Sequence, residues 1–451
     1  MRYRYRSDEE LKDSGVEWIG KIPKDWEIIK LKHKCTFLNG YAFKSEDLDI
    51  NNDVPVVRIG DINENGIDLY KILKVKKDLT QSLDLYEIKK GDTLIAMSGA
   101  TVGKAMFMLK SNGELINQRV GIIRPKNINQ KYLHYSINNT KFKNEILISS
   151  VGGAQENISS ENIKDKHTMK FDIKEQEKIA NFLDEKTSQF DLIISKKEKL
   201  IERLQEAKKI LISEVVTGKV KVVKTDDGYE LIKRSSEDMK DSGVEWLGEI
   251  PKDWDITKLK YIGEAITGLT YSPNDIVDEN EGTLVLRSSN VQNGRIVLND
   301  NVYVNMNIPE KLITREGDII ICSRNGSRAL IGKNACIGSN DAGKSFGAFM
   351  TVFRSKYYEY LNFVFNSHIF KAQSGSFLTS TINQLTIGNL NSFIIAIPNE
   401  KEQEIIVKYL CNKTLKYNSI VDKLKEQIEK LKEAKQSLIS EAVTGKIEIL
   451  D

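Results

Sequence analysis

Residues 338 to 345 read GSNDAGKS and fit the phosphate-binding pattern GxxxxGK[ST] letter for letter, with Lys344 and Ser345 in the places of a phosphate clamp and a magnesium ligand. The context argues against that chemistry. A phosphate loop needs a helix directly after its hydroxyl residue, so that the helix N-terminus faces the phosphates. Here FGAFMTVFRS follows, which reads as a strand. A Gly-rich hairpin loop accounts for the stretch.

Other chemistries fail in turn. Amino-group methylation of DNA calls for Asp or Asn followed by Pro-Pro and an aromatic residue, and no two of the seven prolines are adjacent. Nuclease-like triplets such as Asp172-Ile173-Lys174 arise by chance in a chain this rich in Glu and Lys. There is no Gly-x-Ser-x-Gly elbow. Cys35, Cys322, Cys336 and Cys411 form no CxxC pair, and His33, His134, His167 and His368 have no metal-ligand spacing to them. The expectation is a chain with no catalytic residue, no metal site and no bound cofactor of its own.

Composition describes an ordinary soluble protein: 451 residues, 40% hydrophobic and 29% charged, enough for two to four domains with cores of their own. Apolar stretches such as FIIAIP, residues 393 to 398, are too short to span a bilayer. The opening MRYRYRSDEE lacks the apolar segment of a secretory signal, so a cytoplasmic location is expected. A formal charge of +3 permits nucleic-acid binding without announcing it.

The elements that would position a site are organised by an internal repeat. Residues 13 to 32, DSGVEWIGKIPKDWEIIKLK, return at 241 to 260 as DSGVEWLGEIPKDWDITKLK with four differences. KEQEKIANFLDEKT at 174 to 187 returns as KEQEIIVKYLCNKT at 401 to 414, and LISEVVTGKV at 211 to 220 as LISEAVTGKI at 438 to 447. Each half starts and ends alike, the mark of duplication of one complete unit.

Between these bookends, short β-branched and aromatic runs separated by Gly, Asn, Asp and Ser predict strands joined by turns. After them come helices. Ile193, Leu200, Leu204, Ala207, Leu211 and Val215 recur at spacings of three, four or their multiples, as do Ile420, Leu424, Ile428, Leu431, Ala434, Leu438 and Ala442. Such narrow stripes between Lys, Glu and Gln favour two helices packed on each other. Thr217-Gly218 and Thr444-Gly445 should end them. A helix over 190–216 would be about 40 Å long, close to one turn of B-DNA at about 34 Å.

Taken together, the doubled SGVEW-IG-IP-DW clause, the KEQE-opened helix and the LISE-VTGK helix end resemble the specificity subunit of a type I restriction-modification system. The resemblance covers nearly the whole chain. It implies an α+β fold in which two similar β-rich target recognition domains are separated by two long helices packed as an antiparallel coiled coil, with a pseudo-two-fold repeat. The expected boundaries are 1–170 for the first recognition domain, 171–218 for the first spacer helix region and 219–240 for a linker. The second recognition domain is then 241–398 and the second helix region 399–451.

It further implies that each domain reads one half of an asymmetric, split double-stranded DNA target in the major groove, with the helices setting the gap. Two modification subunits would dock on the chain and hold S-adenosylmethionine for adenine-N6 methylation. Two motor-nuclease restriction subunits, with ATP and Mg, could join to complete an endonuclease. No membrane partner is expected. Two alternatives stay open: a specificity module of another methylating system without a motor subunit, and a non-catalytic two-domain scaffold.

Base readout calls for side chains with paired donors and acceptors. In the first domain the candidates are Tyr41, Lys44, Arg58, Asp61, Ser98, Lys104, Asn117, Gln118, Arg119, Gln155 and Asn157. In the second they are Tyr271, Ser272, Arg287, Asn290, Arg324, Asn325, Arg328, Lys344, Ser345, Gln373 and Asn383. The repeated clause cannot read two different half-targets. Trp18, Trp26, Gln176, Trp246, Trp254 and Gln403 are therefore candidates for partner docking, with plain core packing as the alternative for the tryptophans.

Overall fold

A four-stranded antiparallel sheet lies at the centre of each repeat. In the first, the strand order is Cys35–Asn39, Val120–Pro125, Thr93–Ala96, Ala105–Phe107; in the second it is Glu264–Thr267, Met350–Arg354, Ile319–Cys322, Asn334–Cys336. These are features of a computed structural model that describes residues 2–63, 67–68, 71–148, 157–376 and 383–450. The chain divides into two units, Met1–Lys197 with Lys425–Asp451, and Glu198–Leu424.

Side-chain alternation explains why the central strands carry apolar residues on both faces. Ile95 points to a core shared with helices, while Leu94 and Ala96 point to a second core under the loops and small sheets. In the other unit Ile319 and Ile321 face one core, and Ile320 and Cys322 the opposite one. The turn entering each of these strands is held the same way. Asp92 accepts from the Lys89 N–H and takes a two-pronged bond from Arg124; Asp318 does so with the Arg315 N–H and Arg354. Gly91 and Gly317, at φ of 90° and 86°, supply the left-handed step before these aspartates.

The second strand layer of each unit is small. Leu115–Ile116 pairs parallel with Val54–Val57 in the first unit, and Ser345–Phe346 pairs parallel with Thr283–Leu286 in the second. Short helices Gln130–Asn138, Thr140–Ile148 and Ser160–Lys164 precede the first long helix, and Tyr358–Phe365, His368–Ser376 and Ile387–Ser392 the second.

The long helices run over Ile173–Val216 and Glu400–Val443, each 44 residues. The KEQE segment and the later stripe are thus one uninterrupted helix, about 66 Å long at 1.5 Å per residue, rather than the 27-residue piece expected. Both helices end where Thr-Gly predicts. Packing is antiparallel within each unit. In the first, Lys435 Nζ lies 2.6 Å from Asp191 Oδ1 and Lys197 donates to Gln427; in the second, Lys208 donates to Asn418. Residues rising along one helix meet residues falling along the other.

The buried stripe follows the expected one at Val215, Leu424, Ile428 and Ala442 but is displaced by one residue at other positions. Ile194 is 9% exposed and Ile193 44%; Val421 is 8% exposed and Ile420 47%. Leu200, Ala207 and Ala434 likewise face solvent, and Lys208 and Lys435 take seam positions instead. Adjacent apolar pairs, Ile193-Ile194 and Leu200-Ile201, allow either phase.

Residues 219–240, expected as a linker, contain a hairpin of Val220–Thr225 with Gly228–Lys233. Its counterpart in the first unit is built from the two chain ends: Arg2–Tyr5 pairs antiparallel with Ile447–Leu450. Val220 opposes Lys233 just as Ile447 opposes Tyr5.

Candidate nucleic-acid interface

Four backbone hydrogen bonds recur in both units and build the same concave rim. In the first unit they run from Gly40 N to Val120 O, Tyr41 N to Ile116 O, Met97 N to Arg119 O and Ile158 N to Met97 O, at 2.9 to 3.1 Å. In the second they run from Gly268 N to Met350 O, Leu269 N to Phe346 O, Ser323 N to Phe349 O and Leu385 N to Ser323 O, at 2.7 to 3.1 Å. Isolated bridges complete the match: Ser98 with Asn157 and Arg324 with Gln384, Tyr41 with Asn117 and Leu269 with Gly347. Glycine is required at the crossing. A Cβ on Gly40 would lie 2.1 Å from the Asn117 carbonyl oxygen, and one on Gly268 2.3 Å from that of Gly347.

The side chains on this shared frame differ. Ser98, Arg119, Gln118, Asn157 and Tyr41 of the first unit stand where the second has Arg324, Phe349, Ala348, Gln384 and Leu269. In the first unit an open cleft of about 500 Å³ is lined by Asn39, Met97, Ser98, Gln118, Arg119 and residues 157–160. Its polar rim, with Gln118, Arg119 and Asn157 exposed, has the donors and acceptors that a base edge needs. One frame carrying two sets of side chains can present two different hydrogen-bonding patterns to a ligand.

The structure therefore brings together Tyr41, Asn117, Gln118, Arg119 and Asn157 among the expected readers; Ser98 belongs to the same frame, but its side chain is buried beneath the rim. Gln155 lies outside the described residues. Four others, Lys44, Arg58, Asp61 and Lys104, are engaged elsewhere. Lys44 faces Glu46 at 3.6 Å. Asp61 accepts from the Arg58 N–H at 2.9 Å and lies 3.5 Å from its Nε, so that pair shapes its own turn. Lys104 closes the turn between the strands Thr93–Ala96 and Ala105–Phe107.

In the second unit Arg324 and Asn325 are on the rim, and Asn383 bonds the Gly326 carbonyl beside it at 3.3 Å. Three residues are corrections. Asn290 is fully buried, its amide donating to Val297 O, Asn299 O and Asn301 Oδ1. Ser345 is fully buried and donates to Leu312 O. Gln373 is buried and clamps Ile394 through both its N–H and its carbonyl. Each satisfies backbone groups inside the fold and has no face left for a base.

The remainder are committed locally. Arg287 pairs with Asp300, Arg328 donates to Gly375 O, Lys344 donates to Asn340 O, Ser272 caps Asn274, and Tyr271 packs against the core. The GSNDAGKS loop is spent in the same way: its Gly343 and Lys344 amides bond Thr314, and the strand Ser345–Phe346 follows. Sequence reading missed Phe349 and Gln384. Phe349 is 57% exposed, and its signal was an aromatic residue in the loop FGAF at the position matching Arg119 of INQRV.

The repeated clause is interior. Trp26 and Trp254 are fully buried, and each donates its indole N–H to a carboxylate at the start of a long helix, Glu175 at 3.2 Å and Glu402 at 3.0 Å. Arg6 and Arg234 bind the second oxygen of the same carboxylates. Burial raises the Glu175 carboxyl above its ordinary range against the pull of Trp26 and Arg6. Gln176 is buried between Asn129 N and Phe171 O, and Trp18 packs edge-on against Phe142. Trp18, Trp26, Trp254 and Gln176 thus present no side chain to a partner. Gln403 is half-buried and donates to Pro398 O, while Trp246 is 40% exposed. Among the described residues no group of three His, Cys, Asp or Glu could hold a metal, and no helix is long and apolar enough to cross a membrane.

Comparison with known proteins agrees with this arrangement. The family model for the type I restriction modification DNA specificity domain matches twice, over residues 23–203 and 251–430. A putative type I restriction enzyme MjaX specificity subunit of Methanocaldococcus jannaschii is 28% identical over 449 residues, spanning 96% of both chains. The type I restriction enzyme EcoKI specificity subunit of Escherichia coli K12 is 26% identical over 219 residues, 44% of each chain. A solved chain from work on complex assembly and conformational transition of the type I R-M system shares the fold at a TM-score of 0.66. It is 14% identical, and the match covers 94% of this chain and 99% of that one.

Proposed function

Because the chain belongs to the type I restriction-modification DNA specificity family, we propose that its two rims read the two halves of one asymmetric, interrupted DNA sequence. The chain is the DNA-recognition subunit of such a system and a non-catalytic component of it. The observation that carries the finer reading is the frame described above: eight equivalent backbone hydrogen bonds hold two dissimilar sets of rim side chains. A protein reading a palindrome would repeat the side chains with the frame.

In this reading each rim enters a major groove, where hydrogen-bonding patterns distinguish all four base pairs. Lysines and arginines around the rim hold phosphates and set register without carrying sequence. The long helices fix the number of unread base pairs between the half-targets. Two methyltransferase subunits bind this chain and carry S-adenosylmethionine and the adenine-N6 chemistry. Restriction subunits bring ATP, Mg and cleavage. No residue of this chain takes part in either reaction.

Co-expression with the methyltransferase subunits, followed by modified-base sequencing of host DNA, tests the proposal. The expected outcome is adenine methylation at one motif made of two unlike half-targets separated by a fixed gap. Methylation at an uninterrupted or palindromic motif would overturn it.

A further inference from the structure

We propose that Arg324, held over the ring of Phe349, reads a guanine in the half-target of the second unit; the inference rests on the DNA-recognition reading above. The guanidinium carbon of Arg324 lies 5.1 Å from the Phe349 ring centroid, and both side chains are exposed. Their pairing is set by the backbone. The N–H groups of Ser323 and Arg324 both donate to the Phe349 carbonyl, at 3.0 and 3.1 Å. The next residue is tethered as well: Asn325 donates to Ser288 Oγ at 3.3 Å and accepts from the Ser327 N–H at 2.9 Å.

What separates Arg324 from these arginines is that, among the described residues, no carboxylate or carbonyl takes its fork. Arg287 is paired with Asp300, Arg315 with Glu310 and Arg354 with Asp318, and Arg328 donates to a carbonyl. Among the described residues Arg324 has its aromatic stack and no carboxylate partner. A guanidinium laid on a ring keeps its in-plane N–H donors directed outward while losing rotational freedom. On the major-groove edge guanine alone offers two adjacent acceptors, O6 and N7, that match this fork. The equivalent position of the first unit is Ser98, so the half-targets differ at the position these residues face.

The test uses the complex with its methyltransferase subunits acting on a library of randomised half-targets, read by modified-base sequencing. Arg324→Lys keeps a charge for a phosphate but loses the fork. It should reduce discrimination at one G·C pair of one half-target on the order of ten- to a hundredfold, leaving the other half-target unchanged. Phe349→Leu should weaken preference at that same pair, because the guanidinium loses the ring that restrains it. Unaltered discrimination by Arg324→Lys overturns the proposal, as does an Arg324→Ala variant that loses methylation equally over all sequences, the signature of a phosphate contact. Co-purification of each variant with the methyltransferase subunits excludes misfolding. If the wild-type complex itself modifies no interrupted motif, it is the DNA-recognition reading that has failed.

Discussion

The hydroxyl of Tyr132 donates to the carbonyl of Val443, the last residue of the second long helix, across 2.8 Å and 311 positions of sequence. The Tyr360 hydroxyl reaches Val216, the last residue of the first long helix, in the same way at 3.1 Å, sharing its proton with the Ala396 carbonyl at the same distance. A carbonyl stranded at a helix end needs a donor when buried, and a fully buried tyrosine supplies it in each unit. The repeated clause meets the same helix ends. Gly445 abuts Pro23 and Trp26, and Gly218 abuts Pro251 and Trp254.

Gly445 is therefore intolerant of a side chain. Its φ of 71° already disfavours other residues, and a Cβ would lie 2.6 Å from the Pro23 ring. Gly445→Ala should cost about 2–4 kcal/mol. Gly15→Ala, at a similar φ of 70° but in open space, should cost only the left-handed strain, about 1–2 kcal/mol. Urea unfolding of both variants measures the difference, and equal losses would contradict the close approach.

The seam positions Lys208 and Lys435 are equivalent but differently served. Lys435 has the carboxylate of Asp191, whereas Lys208 has only the amide of Asn418, and burial holds the Lys208 ammonium below the usual lysine range. Asn418→Asp should stabilise the fold by about 0.5–1 kcal/mol at pH 7. The new carboxylate would titrate below its unfolded value in the folded state, so the gain should fade as pH falls below about 4. Thermal melts at pH 7 and pH 3.5 would reveal it, and a destabilised variant would count against the pairing.

His134 makes the first unit acid-sensitive. Burial, with Lys143 adding to it and Asp184 opposing, pushes its imidazole down to about 4. The folded state thus binds this proton less readily than the unfolded chain, whose histidine titrates near 6.5. Its contribution is complete above about pH 6.5 and is lost as pH falls toward 4, amounting to roughly 2 kcal/mol by pH 5. His134→Gln should flatten that part of the profile in denaturant titrations at pH 7.5 and 5. A profile that stays equally steep would assign the acid sensitivity to other groups.

The pairing of Arg2–Tyr5 with Ile447–Leu450 matches the hairpin Val220–Thr225 with Gly228–Lys233. A protein whose ends are joined by a short linker and reopened between Asp226 and Asp227 should fold and direct methylation to the unchanged motif. Loss of folding in the permuted chain, with the linker alone tolerated, would show that the two strand pairs are not interchangeable.

Much of this was legible in the sequence, because the repeat is written in residues that packing cannot spare. The Thr-Gly helix ends, the β-rich centres and the pairing of the long helices follow from glycine placement and apolar spacing, while their antiparallel sense came from the family resemblance. The helical stripe was legible at Val215, Leu424, Ile428 and Ala442 but not at Ile193-Ile194, where two apolar choices are offered and tertiary packing takes the second. Nor could polarity alone sort readers from scaffolding. Asn290, Ser345 and Gln373 have the same donors as surface residues, and only the fold reveals that these are spent on buried carbonyls. Phe349 was passed over for the opposite reason, as an aromatic residue reads as core.

The clasp of Trp26 on Glu175 and Trp254 on Glu402 touches neither rim. An exchange of genetic material that replaced everything between one IPKDW clause and the next KEQE segment would bring in a new rim already fitted to its socket. If the rims read DNA as proposed, new target sequences would then be reached by recombination in one step, without the succession of destabilised intermediates that residue-by-residue change would impose.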